Sequence, residues 1–318
     1  MSEPLVSIVI ATYQSRRDHL SAAILSALEQ SWRRIEVIVT DDSPDDALRG
    51  FVAGFRDERL RYRRNEPRLG VAANHWAAFA EAQGEYIAVL NHDDWLAPRF
   101  VERLLQPLRR TPTAALAFCD HWVIDVRGRR LDAETERTSA AWGRAGLAEG
   151  LHLPFAGLVS EQTIPMAMGA LFRRAALPAR LPGDAGAAYD LWLGYLLCCS
   201  DGGAWYVSER LSAWRSHEAN LTSQSGVGWL QGSAAAWSAM ARDRRFAAVR
   251  GVVRHKAALG YYACAVRAWV DGHRRDCARF ALRSLATLLT LRGLAACCLP
   301  LLPRRFAPSR WLRHPGAA

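Results

Sequence analysis

Residues 5–42 read LVSIVIATYQSRRDHLSAAILSALEQSWRRIEVIVTDD, and this stretch decides the fold. Leu5–Thr12 is a short, β-branched, uninterrupted apolar run. Asp18–Gln30 changes period, with Leu20, Ile24, Ala27 and Leu28 on one side of a helix. Ile35–Thr40 returns to strand character and ends in Asp41 and Asp42. A strand buried on both faces, then a helix, then a second such strand is the unit of a parallel sheet. The alternation continues: a helix over Pro44–Phe55 capped by Ser43, a weak strand at Leu60–Arg64 and an Ala-rich helix over Gly70–Gln83. A fourth strand follows at Tyr86–Leu90, then a helix over Pro98–Arg110. The order predicts an α/β fold, a Rossmann-like, mostly parallel sheet flanked by helices.

In such sheets ligands bind beyond the carboxyl ends of the strands. Three of those ends are polar here: Thr12-Tyr13, Asp41-Asp42, and the run Asn91-His92-Asp93-Asp94. Residues 114–230 are less regular. They predict strands at Ala114–Cys119 and Trp122–Val126, a turn at Arg127-Gly128-Arg129, and a long connection over 132–165. A strand at Met168–Phe172, a helix over Ala187–Cys199, and short strands at Trp205–Val207 and Leu211–Trp214 follow. From about Gly232 the pattern is helical. Arg275, Arg279 and Arg283 are spaced i, i+4, i+8 and share one face of an amphipathic helix placed at 274–292.

The chain has 318 residues and a formal charge of +10, and that charge is unevenly placed. Residues 241–318 hold 16 Lys+Arg against 3 Asp+Glu, and residues 1–240 hold 25 against 28. A slightly acidic body with a strongly basic tail points to one anionic surface met by the tail alone. Seven cysteines without a CxxC give neither a disulfide framework nor a zinc site. The N-terminus has no basic segment before its apolar run, which predicts no signal peptide. The longest apolar stretch, Gly293 to Pro303, is about half of the ~20 residues a spanning helix needs. Together these place the chain in the cytoplasm, at most peripheral to the inner face of a membrane. No GxGxxG follows the first strand, which disfavours a dinucleotide-binding oxidoreductase. No nucleic-acid-binding motif is present, so no nucleic-acid partner is expected.

The residues around the polar strand ends carry a resemblance. VSIVIATYQSRRDHLSAAILSALEQSWRRIEVIVTDDSPDD resembles the opening of family-2 glycosyltransferases, which have the GT-A fold. GVAANHWAAFAEAQGEYIAVLNHDDWLAP resembles their central segment, and AAYDLWLGYLL and LSAWRSH extend the likeness to about residue 225. The resemblance implies an inverting transferase that takes a sugar from a UDP- or dTDP-sugar to an acceptor hydroxyl, in cell-surface polysaccharide or glycolipid synthesis. It implies a nucleotide-sugar donor and a glycan or lipid-linked acceptor as partners, and Mg²⁺ or Mn²⁺ as cofactor. It divides the chain into a nucleotide-sugar-binding half (1–115), an acceptor-binding half (116–230) and a basic helical extension (231–318).

The chemistry of the residues is compatible. Tyr13 can lie flat against a pyrimidine, with backbone contacts from Ala11 and Thr12 implied by the resemblance. Asp42 is acceptor-only when ionised, which suits the N3–H of uracil or thymine and not the N3 of cytosine; Asp41 and Asp42 can equally cap the following helix. Asn91-His92-Asp93-Asp94 stands where the family has its DxD motif. A carboxylate there holds a cation that stabilises a departing nucleoside diphosphate. Asp93 takes the third DxD position and is the first metal candidate. Asn91 stands where the family often has Asp, and could bind ribose or a metal-bound water. Asp94 is a further metal candidate, or orients the site, or caps the next helix. Asp190, at the start of its helix, is the candidate base for the acceptor hydroxyl, or that helix's N-cap. The family's acids a few residues earlier are here Ala187 and Ala188, and Asp184 is the fallback. Arg215 and His217 match a late Arg-x-His, which the resemblance sets near the diphosphate and the metal; both also suit a plain strand end. Asn74 and His75 replace the family's Arg-Asn pair. Trp192, Trp205, Trp214 and Trp229 are either sugar platforms or packing residues.

Two further alternatives stand. The departures at Asn91, Ala187 and Ala188 suit a degenerate, non-catalytic nucleotide- or glycan-binding module. The basic tail, 274–313, is either an interfacial segment on an anionic membrane surface or a helical hairpin packed on the domain.

Overall fold

The computed structural model describes residues 3–178, 180, 182, 185–216 and 227–303. The expected His217, the fallback Asp184, and Arg304, Arg305, Arg310 and Arg313 of the tail lie outside the described residues. The chain forms two compact units, Met1–Leu181 with Leu193–His217, and Pro182–Trp192 with Glu218–Ala318.

The first unit opens with β1 (Val6–Thr12), α1 (Arg17–Leu28), β2 (Ile35–Asp41), α2 (Arg49–Ala53), β3 (Leu60–Arg64), α3 (Val71–Glu81) and β4 (Tyr86–Val89). Next come β5 (Trp95–Leu96), α4 (Phe100–Arg110), β6 (Ala114–Ile124), α5 (Asp132–Ala141), β7 (Gly150–His152), α6 (Ala156–Ser160) and β8 (Ala170–Arg173). α7 (Tyr189–Cys198) is shared between the units by sequence, and β9 (Gly203–Arg215) completes the sheet. The sheet order is β3-β2-β1-β4-β8-β6-β9-β5, with β7 on β9. β1, β2, β3 and β4 pair in parallel, as do β6 and β9, while β5, β7 and β8 run antiparallel to their neighbours. The expected GT-A-like α/β sheet with flanking helices is therefore present.

Every residue of β1 and β2 is buried, as their unbroken β-branched runs require of central parallel strands. Ile8 and Ile10 of β1 pack with Leu20 and Ile24 of α1 and with Phe100 and Leu104 of α4 in one core. At the N-terminal edge, Glu36 makes a buried knot. Its Oε1 accepts from Ser7 Oγ (2.6 Å) and from the amides of Gln83 (2.7 Å) and Gly84 (3.2 Å), and its Oε2 from Arg61 (2.7 Å).

Several expectations are corrected. The strands expected at 114–119 and 122–126 are one strand, β6, whose register against β9 shifts around Asp120. Asp120 breaks the apolar pattern but is buried with partners: Arg144 at 2.6 Å, Ser139 at 2.5 Å and Arg210 at 3.3 Å. Likewise the two strands expected at 205–214 are the single β9, across Ser208-Glu209-Arg210, where Ser208 bonds Glu149 and Glu209 pairs with Arg103. Ser43 does not cap a helix, since α2 begins only at Arg49. Its hydroxyl accepts the Gln14 amide at 2.8 Å.

The second unit is helical: α8 (Val227–Arg242), α9 (Arg250–Asp271), α10 (Arg274–Thr287) and α11 (Leu291–Cys298). The single helix expected over 274–292 is two. Leu288 is extended, and Thr290 caps α11 by accepting the Gly293 amide at 3.0 Å. Cys264, Trp269, Cys277, Phe280 and Ala296 form this unit's own core. No helix among the described residues is long and apolar enough to cross a membrane.

Candidate active site

Parallel pairing brings the carboxyl ends of three strands to one edge. Thr12 of β1 lies opposite Asp41 of β2, and Leu90, just past β4, continues the ladder by donating to Val9. Tyr13, Asp42 and the Asn91–Asp94 turn thus leave the sheet side by side.

Asn74 fastens this edge from α3. Its Nδ2 donates to the carbonyls of Thr12 and Thr40, both at 3.2 Å, and its Oδ1 accepts from Asn65 at 2.7 Å. Asn65 in turn donates to Asp42 Oδ1 at 2.9 Å. Asp42 Oδ1 also accepts the Leu69 amide (3.1 Å), and its Oδ2 accepts the Gly70 amide (2.6 Å). Gly70 precedes α3 with φ +88°, a conformation that favours glycine, and so presents its N–H to the carboxylate. Asp42 is therefore neither a helix cap nor a bare acceptor; it holds the 65–70 loop against β2. A carboxylate offers about four acceptor positions, and three are filled among the described residues, which leaves one on Oδ2. Asp41 is fully buried, with Ser43 N–H on Oδ1 (2.8 Å) and the Tyr62 hydroxyl on Oδ2 (2.7 Å). Burial and that carboxylate together push the Tyr62 phenol up.

Ala11 and Thr12 are buried, and the Thr12 carbonyl accepts the Asp42 amide at 3.0 Å as well as Asn74. Tyr13 is 39% exposed, and the Arg68 guanidinium lies 4.1 Å from its ring centroid. Asn65, Arg68 and Gly70 are the site residues that the sequence reading did not assign, and Asn74 it named only as a departure from the family's pair. The glycine before an Ala-rich helix was the available signal for the 65–70 loop.

The acidic turn is built differently at each position. Asp94 is fully buried; its Oδ1 accepts the Arg215 amide (2.8 Å) and its Oδ2 accepts Asn91 Nδ2 (3.1 Å). Burial, then the charge of Asp93, raises its pKa well above the carboxylate range. Asp94 thus braces the turn, one of the roles expected for it, and Asn91 supplies one of its donors. Arg215, expected beside a diphosphate, is 5% exposed and gives its Nε to Asp93 O (2.7 Å) and its Nη1 to the carbonyls of Asp125 and Val126. It fastens the turn to the end of β6. Asp93 and His92 are half-buried at the rim. His75 is buried, bonds Val71 O at 2.8 Å, and is pulled down to about 4 by burial.

Among the described residues no group of three or more His, Cys, Asp or Glu gathers as a metal cage. Mg²⁺ in phosphate sites takes one or two carboxylates and fills its remaining positions with phosphate oxygens and water. Half-buried Asp93 could supply one such carboxylate; Asp94 carries two protein donors.

Residues 7–157 match the family described as "Glycosyl transferase family 2". This stretch is a family-2 glycosyltransferase domain. An uncharacterized glycosyltransferase of Methanocaldococcus jannaschii, MJ1057, is 30% identical over 134 residues, covering 41% of this chain and 46% of its own. The Escherichia coli UDP-Glc:alpha-D-GlcNAc-diphosphoundecaprenol beta-1,3-glucosyltransferase WfgD is 34% identical over 110 residues, covering 34% and 43%. The Rhizobium meliloti succinoglycan biosynthesis protein ExoO is 34% identical over 137 residues, covering 42% and 38%. The match thus spans less than half of each relative. The crystal structure of Staphylococcus aureus TarS 1-349 in complex with UDP-GlcNAc superposes with a TM-score of 0.64 at 12% identity, covering 97% of this chain and 91% of that one. At that identity the likeness is one of GT-A fold.

In the second unit, Asp190 is half-buried in the first turn of α7, and its Oδ1 accepts the adjacent Leu191 amide at 2.8 Å. Burial raises its pKa. Trp192 is a core residue of that unit, bonding Gly232 O at 3.0 Å, rather than a sugar platform. Trp205 and Trp229 pack against the cores of the first and second units respectively.

Proposed function

We propose that the chain is an inverting glycosyltransferase. It transfers a sugar from a UDP- or dTDP-sugar to an acceptor hydroxyl, as a step in building a cell-surface polysaccharide or glycolipid. One observation carries the reading: beside Tyr13, Asp42 keeps a single acceptor position on Oδ2 after fastening the 65–70 loop. One acceptor beside an aromatic ring is what a stacked uracil or thymine, with its one imide N–H, requires.

In this reading the base stacks at Tyr13 and donates its imide proton to Asp42. The diphosphate lies at the acidic turn, where Asp93 would hold Mg²⁺ or Mn²⁺; the bound cation supplies charge stabilisation for the departing nucleoside diphosphate. Arg215 and Asp94 act on Asp93 by fixing the backbone that carries it. Asp190 is the proposed base. A carboxyl with a raised pKa holds an abstracted proton better than an exposed one does, while the acceptor oxygen attacks the anomeric carbon in line. The names of WfgD and ExoO, which speak of a diphosphoundecaprenol acceptor and of succinoglycan, support the polysaccharide context.

The test is a thermal-shift panel of nucleotide sugars with Mg²⁺, Mn²⁺ or EDTA, followed by donor hydrolysis. UDP- or dTDP-sugars with metal raise the Tm through ligand linkage, and Asp93→Asn abolishes the metal-dependent part. A panel with no response overturns the reading. Binding without turnover in either wild type or any acceptor mixture favours the non-catalytic module.

A further inference from the structure

The helical second unit leaves its last two helices with an outer surface of unusual composition. On α10 the buried side consists of Cys277, Phe280, Ala281 and Ser284. The other side exposes Arg275, Arg279 and Arg283, with Leu282 between them at 63% exposure. On α11, Gly293 and Ala296 face inward. Leu291, Leu294, Ala295 and Cys298 are exposed at i, i+3, i+4 and i+7, an apolar stripe turned outward. Leu289 and Leu301, at either end of α11, are 74% and 82% exposed. Single exposed leucines are ordinary, but a helix whose apolar stripe faces away from its own core is a docking surface.

We propose that α10 and α11 form an interfacial anchor for an anionic lipid bilayer. Leucines would enter the boundary between headgroups and acyl chains, and arginines would lie against the lipid phosphates. Charge selects this occupant. Residues 274–303 carry five arginines and one acid, Asp276, so a second copy of the chain would bring a like-charged row against the first. Arginine's long apolar stem and charged head suit the phosphate level of a membrane. The anchor rests on the second unit alone and does not depend on the transferase reading.

The experiment is co-sedimentation of the full chain with phosphatidylcholine vesicles, with and without phosphatidylglycerol, at low and high salt. The comparison variants are Leu291→Glu/Leu294→Glu and Arg275→Gln/Arg279→Gln/Arg283→Gln, all at exposed positions. Wild type partitions onto phosphatidylglycerol vesicles and is largely released by salt. The leucine pair weakens partitioning tenfold or more, and the arginine triple removes most of the lipid preference and of the salt dependence. Equal binding to both vesicle types, or a leucine variant that binds as wild type does, overturns the proposal. A wild-type dimer in light scattering that the leucine pair dissociates, without vesicle binding, assigns the surface to a second copy instead and also overturns it. None of these readouts uses nucleotide binding or transfer, so the two proposals fail separately.

Discussion

Asp42→Asn is the most informative single change, because it keeps the shape of the side chain and alters only what each atom offers. The carboxylate accepts three protein donors, two on Oδ1 and one on Oδ2. In the variant one oxygen becomes an NH2 group that faces a donor whichever way the amide turns. The favoured flip keeps Asn65 and Leu69 satisfied and sets the new NH2 against the Gly70 amide, which had the 2.6 Å bond. Losing that charge-assisted bond and opposing two donors costs about 2–3 kcal/mol. For a unit of roughly this size the melting temperature falls by roughly 5–10 °C. The same flip replaces the remaining acceptor position with a donor. An imide N–H then meets an N–H, and UDP affinity falls about tenfold to a hundredfold, or roughly 1.4–3 kcal/mol. The N3 of cytosine accepts such a donor, so CDP loses far less and the UDP/CDP preference narrows. Differential scanning fluorimetry and calorimetric titration with UDP and CDP give both numbers. A variant that melts like wild type and keeps its UDP/CDP ratio refutes the reasoning.

Two further predictions concern the scaffold. His75 and His121 are both held near 4, chiefly by burial, against an ordinary 6.5. The unfolded chain therefore binds more protons below pH 6.5, so their contribution is complete above 6.5 and is lost as pH falls toward 4. Between pH 6.5 and 5 the loss is about 2 kcal/mol for each histidine. Because Asp94 and Asp190 are shifted upward and pull the other way, the readout is the difference in urea midpoint between wild type and His75→Gln/His121→Gln at pH 7 and 5. An unchanged difference counts against the assignment. Separately, a Cβ on Gly84 would stand 2.6 Å from the Ser7 amide and 2.9 Å from Leu5 O, where backbone must yield. Gly84→Ala should cost about 2–3 kcal/mol in chemical denaturation, and a neutral result would mean the β1 edge relaxes freely.

What the sequence made legible follows from where each signal resides. β1, β2 and β4 are local signals, β-branched runs buried on both faces, and were found within a residue or two of their ends. β6 and β9 were split because Asp120 and Ser208-Glu209-Arg210 interrupt the apolar pattern. Their places within the strands are held by Arg144, Arg103 and Glu149, which are distant in sequence. The break between α10 and α11 was hidden for the opposite reason: Leu288 and Leu289 continue the helical pattern while the backbone leaves it. At the site, the strand-end acids were readable as positions, since the parallel order fixes which end carries ligands. Their roles were not, since Asp42 meets its partners only through the 65–70 loop, and Asp94 meets Arg215 across 121 residues.

The division of charge bears on how such a site would hold a diphosphate. The body of the chain is slightly acidic, and Asp41, Asp42, Asp93 and Asp94 stand at one sheet edge. Three of the four are almost fully buried, with each carboxyl oxygen on a protein donor. Asp93 differs in reaching the rim. Arg215 gives its Nε and Nη1 to backbone carbonyls that hold the same turn. In the proposed site a diphosphate at the turn would meet an acid whose backbone an arginine holds in place. On the proposed metal-dependent reading, that arrangement would repel the ligand alone and attract it with a divalent cation, because the cation reverses the sign of the local field. Nucleotide affinity should accordingly depend on divalent metal far more steeply than on ionic strength. The tail should behave in the opposite way, since its exposed arginines act directly and are screened by salt.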